Sequence, residues 1–72
     1  MSEKETLVLD TIISNANAEN KWSVSVRTLS TMTGLALNDV TLALHNLENG
    51  RHIDQFPNNG KPDEVFGLRL TK

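Results

Sequence analysis

The fold of this chain is decided by residues Val26–Gly50, VRTLSTMTGLALNDVTLALHNLENG. Two segments with helical spacing flank Gly34, a residue type that suits the left-handed conformation just past a helix end. The second segment carries apolar residues at i, i+3, i+4 and i+7, which are Val40, Ala43, Leu44 and Leu47. Such a stripe is typical of a helix with one face against a core. The stretch therefore predicts two helices, over about 26–49, joined by a tight turn.

The ends of these two helices have recognisable capping residues. Ser25 is a suitable N-cap for the first, which we expect to run to about residue 32 with Leu29 and Met32 facing inward. Asn38 is a suitable N-cap for the second, and Asp39 complements the positive end of the helix dipole. Asn49–Gly50 predicts that the second helix ends in the usual glycine-containing C-terminal turn.

The segment before this stretch predicts one helix and one short strand. Ser2 followed by Glu5 matches a capping box, which starts a helix that we expect over about 3–18. Its apolar residues recur at helical spacing and predict a buried face, formed by Val8, Leu9, Ile12, Ile13 and Ala16. Apolar and polar residues then alternate over 22–26, which predicts a short strand at 22–25.

The segment after it predicts a β-hairpin over about 51–70. Ile53 and Phe56 lie in a short extended run, and Phe66, Leu68 and Leu70 alternate with less apolar residues as in a half-buried strand. Turn-forming residues lie between these two runs, among them Pro57, Gly60 and Pro62. We expect the tip of the hairpin between residues 57 and 64.

Length and composition restrict the class of protein. A chain of 72 residues is expected to form a single domain over 1–72 with a small core. It has no cysteine, which excludes disulfides and zinc–thiolate sites and fits a reducing compartment. No apolar run has the length of a membrane span, and the charged N-terminus is unlike a signal peptide. We expect a cytoplasmic protein without a membrane partner.

This order of elements resembles the winged helix-turn-helix superfamily. The resemblance covers nearly the whole chain, and its local signature lies within residues 24–53, where packing residues stand at the positions such motifs use: Leu29, Ser30, Gly34, Leu35, Val40, Ala43 and Leu44. Ser30 replaces the more usual alanine. The segment Leu47–Gly50 followed by Ile53 is similar to the family's exit from the recognition helix into the wing. In size the chain is similar to small single-domain regulators of bacterial fimbrial operons, phages and plasmids.

The resemblance implies an α+β fold with three helices, a short strand after the first helix, and a C-terminal β-hairpin wing. It also implies a sequence-specific protein that binds double-stranded DNA, places its third helix in the major groove and regulates transcription. Polar residues on that helix are expected to contact bases or phosphates, namely Asn38, Thr41, His45 and Asn46. Leu42 lies off the apolar stripe and is expected to contact a thymine methyl group or an interface. Arg27, Lys61 and Arg51 are expected to contact the DNA backbone, and Lys21 is a weaker candidate.

The charge balance favours a second hypothesis. Seven basic and nine acidic residues give a net charge of −2, whereas dedicated nucleic-acid binders are usually basic. The predicted third helix contains neither lysine nor arginine. The alternative is a protein–protein interaction module on the same scaffold, with the acidic first helix or the uncharged third helix as its contact face. A ligand-sensing domain is a third possibility that no pocket signal supports. One chain neutralises few phosphates, so DNA binding would favour a homodimer or larger assembly.

Catalytic and metal-binding functions find no support in the sequence. There is no glycine-rich phosphate loop, nucleophile elbow or zinc motif, and Asp63–Glu64 is typical of a solvated loop pair. His45 and His52 lie on different predicted elements without a third ligand in reach. We therefore expect no enzyme activity, no cofactor and no metal.

Overall fold

The protein is an α+β domain, as shown by a computed structural model that describes residues 1–55 and 61–71. Its elements in chain order are α1 (Glu3–Asn15), β1 (Lys21–Val24), α2 (Val26–Thr33), α3 (Leu37–Asn49), β2 (Ile53–Gln55) and β3 (Phe66–Leu70). The expectations for Phe56 and for the hairpin tip at 57–60 lie outside the described residues. In these two ranges, no helix combines the length and apolar character needed to cross a membrane.

The three strands form one antiparallel sheet in which β3 is central, in the order β1-β3-β2. Ile53 lies opposite Leu70 and Gln55 opposite Leu68, so the predicted hairpin strands pair with each other. Val24 lies opposite Phe66 and joins the short first strand to the same sheet. This second pairing links distant parts of the sequence, and no local pattern predicted it.

The core lies between the three helices and the inner face of the sheet. The predicted stripe of α3 is buried, and Leu29 of α2 is fully buried beside it. The remaining buried apolar residues come from α1, the three strands and the start of α2: Val8, Ile12, Val24, Val26, Ile53, Phe66 and Leu68. Trp22, Leu9, Leu35, Leu37 and Leu70 are partly buried against this core. Because α3 contributes four residues to the core, its orientation is fixed by packing.

Helix α1 ends at Asn15, three residues before the predicted end. The Asn17 side chain accepts hydrogen bonds from the backbone N–H groups of Glu19 at 2.8 Å and Lys21 at 3.0 Å. Asparagine competes with helices in this way, because its side chain offers the backbone a turn instead. Asn20 then takes a left-handed conformation, with φ of 64°, and leads the chain into β1.

Two apolar residues predicted to face inward are exposed. Ile13 is 53% exposed, because the buried face of α1 is centred on Val8 and Ile12, and each residue turns about 100° around a helix. Met32 is 48% exposed. In α2 the residue four positions after Leu29 is the half-buried one, Thr33, whose hydroxyl donates to the Leu29 carbonyl. Helical spacing shows which residues share a face of α1 or α2, but it does not show which side of that face the rest of the protein covers.

The predicted N-caps are confirmed for α1 and α2 but not for α3. Ser2 accepts from the Glu5 N–H and Ser25 from the Thr28 N–H. Helix α3 begins at Leu37, its N-cap position is Ala36, and no side chain caps it. Asn38 is instead an exposed residue of the first turn. Leu37 packs against the core as the first helical residue, and this packing outweighs the capping preference of Asn38.

The left-handed residue that ends α3 is Arg51, not the predicted Gly50. Gly50 has φ of −80°, whereas Arg51 has φ of 59°. The N–H of His52 donates to the Leu47 carbonyl at 2.9 Å, and the N–H of Arg51 to the Glu48 carbonyl at 3.0 Å. These two bonds make a Schellman motif with Arg51 in the position that glycine usually occupies.

The turn between α2 and α3 follows the prediction at Gly34, which has φ of 75°. Nothing lies within 4 Å of a Cβ built there, so glycine is needed for its backbone conformation and not for space. The Ser30 hydroxyl donates to the Leu35 carbonyl at 2.5 Å and ties the two sides of the turn together. Ser30 thus has a polar role that alanine would lack.

Candidate nucleic-acid interface

The outer face of α3 consists of Asn38, Leu42, His45 and Asn49, which follow one another at i, i+4, i+7 and i+11. All four are exposed, and Leu42 exposes 60% of its surface. This spacing keeps them in one row on the side of the helix away from the buried stripe. Among the described residues, their polar side chains have no hydrogen-bond partner, so amide and imidazole groups face solvent along the helix. We refer to these four residues as the outer row.

Two polar residues of α3 face α1 instead. The Asn46 amide donates to the Glu5 carboxylate at 3.1 Å, and Asp39 pairs with Lys4 at 3.2 Å. The hydrogen bond from Asn46 lowers the pKa of the Glu5 carboxyl below its usual value. A base contact by Asn46 would therefore replace an existing hydrogen bond.

Thr41 lies on the opposite flank of the outer row. It is half-buried, and its hydroxyl donates to the Leu37 carbonyl at 3.1 Å. The hydroxyl proton is thereby used within the helix, while the oxygen keeps the capacity to accept. Thr41 can therefore accept a hydrogen bond from a ligand group that lies beside the outer row.

Arg27 and the segment around Lys61 are brought together at the start of α2. The backbone N–H of Arg27 donates to the Pro62 carbonyl at 2.8 Å. The guanidinium of Arg27 donates a hydrogen bond to the Asp63 carboxylate. Lys61 is exposed in the same segment. The Arg27 side chain is 55% exposed and the Asp63 side chain 73%, so both remain open to a competing anion.

The other two cationic candidates lie elsewhere. Arg51 is exposed just beyond the last turn of α3, and its carbonyl accepts from the Thr71 hydroxyl. Lys21 lies in β1 opposite Arg69, which pairs with Asp54 of β2 at 2.5 Å. Lys21 therefore belongs to a row of charged residues on the outer face of the sheet, apart from α3.

Sequence reasoning missed two residues of this region. The sequence indicates Asn49 only as part of a helix end, although its position four residues after His45 places it on the outer row. The sequence indicates a solvated loop residue at Asp63, and its side chain is indeed 73% exposed, but the sequence does not indicate its pairing with Arg27. The position of Asn49 on the outer row follows from helical spacing alone. The contact between Arg27 and Asp63 joins residues that are 36 positions apart, and no local sequence pattern predicts it.

No group of three or more metal-binding side chains occurs in the part of the chain that the structure describes. His45 is exposed on α3, and His52 is half-buried against Gly50.

No protein-family model matches the chain, and no curated protein matches it in sequence.

Proposed function

We propose that this protein is a sequence-specific double-stranded DNA-binding protein of the winged helix-turn-helix type, with a role in transcription regulation. The observation that carries the proposal is the outer row of α3. It presents hydrogen-bonding groups without partners among the described residues, on a helix that the core holds in place. In this proposal α3 enters the major groove, the β2–β3 hairpin is the wing, and the protein binds rather than catalyses.

The dimensions of α3 fit this role. An α-helix with side chains is about 10–12 Å in diameter, and the major groove is about 12 Å wide. From Asn38 to Asn49 the row extends about 16 Å along the helix axis. It is therefore long enough to pass several base pairs. Gly34 and the Ser30–Leu35 hydrogen bond fix the turn that presents the helix.

Backbone contacts are assigned to Arg27 and Lys61, with Arg51 beyond the end of α3. The ion pair of Arg27 with Asp63 is exposed, and exposed pairs contribute at most about 1 kcal/mol. A phosphate can therefore displace Asp63 from Arg27. Three cations neutralise few phosphates, which favours weak binding by one copy and tighter binding by a homodimer or larger assembly.

The test is fluorescence anisotropy of a labelled mixed-sequence duplex, titrated at low salt and at about 0.15 M salt. Binding that weakens steeply with salt supports backbone contacts. Arg27→Ala and Lys61→Ala are expected to weaken binding to every duplex and to flatten the salt dependence. Arg69→Ala removes the same charge from the outer face of the sheet, apart from α3, and is the matched control. Unchanged affinity of both variants, with the fold intact, would contradict the site assignment.

A protein-interaction module is the second candidate function, favoured by the surface of α1. Leu7 and Ile13 are exposed there on either side of Asp10, and Lys4 is turned away toward Asp39. Among the residues that the structure describes, Asp10 forms no ion pair, and an exposed carboxylate between two apolar side chains suits a basic apolar partner.

The interaction hypothesis has its own variants. Asp10→Lys on α1 or Leu42→Arg on α3 is expected to abolish capture of a protein partner without unfolding the domain. A pull-down that recovers the same partner with both variants would exclude these two faces. Absence of DNA binding even at low salt would favour this candidate over the first.

A further inference from the structure

We propose that the outer row of α3 selects A·T base pairs, so that the DNA sites of this protein are A·T-rich where α3 contacts them. The inference rests on the proposed function and adds the class of sequence that the helix recognises. It follows from the side chains that α3 exposes on the outer row and from those that contact other parts of the protein.

The row contains the two side-chain types that match an A·T pair in the major groove. Adenine presents N7 as an acceptor and N6 as a donor, a pair that an asparagine amide matches with two hydrogen bonds. Asn38 and Asn49 provide such amides at the two ends of the row. Thymine presents a methyl group, which an apolar side chain contacts. Leu42 lies between the two asparagines and exposes 60% of its surface.

The same row lacks the usual partners of a G·C pair. Guanine is most often read by arginine or lysine, and α3 contains neither. Cytosine is read by acidic side chains, of which α3 has Asp39 and Glu48. Asp39 is paired with Lys4, and Glu48 is half-buried beside the row. His45 both donates and accepts when neutral, so it does not favour either pair.

The first experiment selects bound duplexes from a pool with a randomised central segment, at a salt concentration that suppresses non-specific binding. We expect the sequenced products to be enriched in A·T pairs at the contacted positions. Binding with steep salt dependence but no enrichment, or with enrichment of G·C pairs, would overturn the inference and leave the proposed function standing. Retention of no duplex even at low salt would overturn both.

The second experiment replaces thymine by deoxyuridine in a selected duplex, which removes the methyl groups and leaves the hydrogen-bonding edges unchanged. Loss of one buried methyl contact is expected to weaken binding about two- to fivefold. Leu42→Ala is expected to bind the two duplexes equally. Leu7→Ala, which removes an exposed leucine from α1, is expected to keep the difference. A Leu42→Ala variant that still distinguishes them would overturn the role of Leu42.

The asparagines are tested by the same comparison. Asn49→Ala is expected to reduce the preference for A·T over G·C duplexes about tenfold or more, as one bidentate contact does. Asn15 is the last residue of α1 as Asn49 is of α3, so Asn15→Ala is a matched control that should keep the preference. Unchanged preference of both Asn49→Ala and Asn38→Ala would overturn the inference.

Discussion

Arg51 shows how a single residue departs from its usual place in this fold. With φ of 59° it occupies the left-handed position that ends α3, while the neighbouring Gly50 has an ordinary helical φ. Residues with a Cβ are strained there by about 1–2 kcal/mol. The glycine in the sequence correctly indicated the end of the helix, but the hydrogen-bonding register placed the strain one residue later.

Arg51→Gly is therefore expected to stabilise the protein by about 0.5–1 kcal/mol, because relief of strain exceeds the added freedom of the unfolded chain. Arg51→Ala removes the same charge and keeps the Cβ, so it should give no such gain. Urea unfolding of the two variants measures the difference. Equal stability of Arg51→Gly and Arg51→Ala would show that the backbone at this position is not strained.

Glu5 gives the contact between α1 and α3 a pH dependence. The hydrogen bond from Asn46 favours the charged carboxylate and lowers its pKa in the folded protein. The contact therefore contributes fully above the unfolded pKa of about 4.3 and is lost as the pH falls through the lower folded value. Glu5→Gln should remove this contribution, so the stability difference between the protein and the variant should shrink on acidification. Urea midpoints at neutral and acid pH measure it. Glu3→Gln, in the same turn of α1, is the control, and an equal pH response of the two variants would contradict the account.

At the scale of elements, the sequence predicted the helices and strands better than their contacts. Helical spacing around Gly34 and alternation at Phe66–Leu70 are local signals, and both gave elements close to the observed ones. The N-cap of α3 was wrong because burial of Leu37 depends on tertiary packing. The pairing of β1 with β3 and the bond between Arg27 and Asp63 join distant segments, which no local pattern predicts. For the candidate site, helical spacing predicted Asn38, Leu42 and His45 of the outer row. The structure added Asn49 and turned Asn46 toward Glu5.

Asp63 is expected to lower the affinity for DNA, because its carboxylate pairs with Arg27 of α2. Asp63→Asn removes the carboxylate that competes with phosphate for Arg27, and the strength of an exposed ion pair suggests about two- to fivefold tighter binding at low salt. Asp54→Asn is the matched control, since it removes the same charge from the pair with Arg69 on the sheet. Anisotropy titrations of both variants measure the effect. An equal gain in affinity for both would assign the effect to net charge and not to release of Arg27.

For the whole molecule, the net charge of −2 and the proposed role are reconciled by how the charges are distributed. Glu5 of α1 accepts a hydrogen bond from Asn46 of α3, and Asp39 of α3 pairs with Lys4 of α1, so both of these carboxylates lie between the two helices. The outer row of α3 is left uncharged. A protein with this arrangement gains less from phosphate contacts and depends more on base contacts, so its binding should be weak to random DNA and selective.

The claim that the outer row of α3 binds DNA is tested most directly by nuclear magnetic resonance of the ¹⁵N-labelled protein, titrated with a duplex at low salt. The account predicts that changes in chemical shift concentrate in α3 at Asn38, Leu42, His45 and Asn49, with further changes at Arg27 and Lys61. The side-chain amides of Asn38 and Asn49 should shift more than that of Asn15. Changes confined to α1 or to the outer face of the sheet, or no change at all, would contradict it.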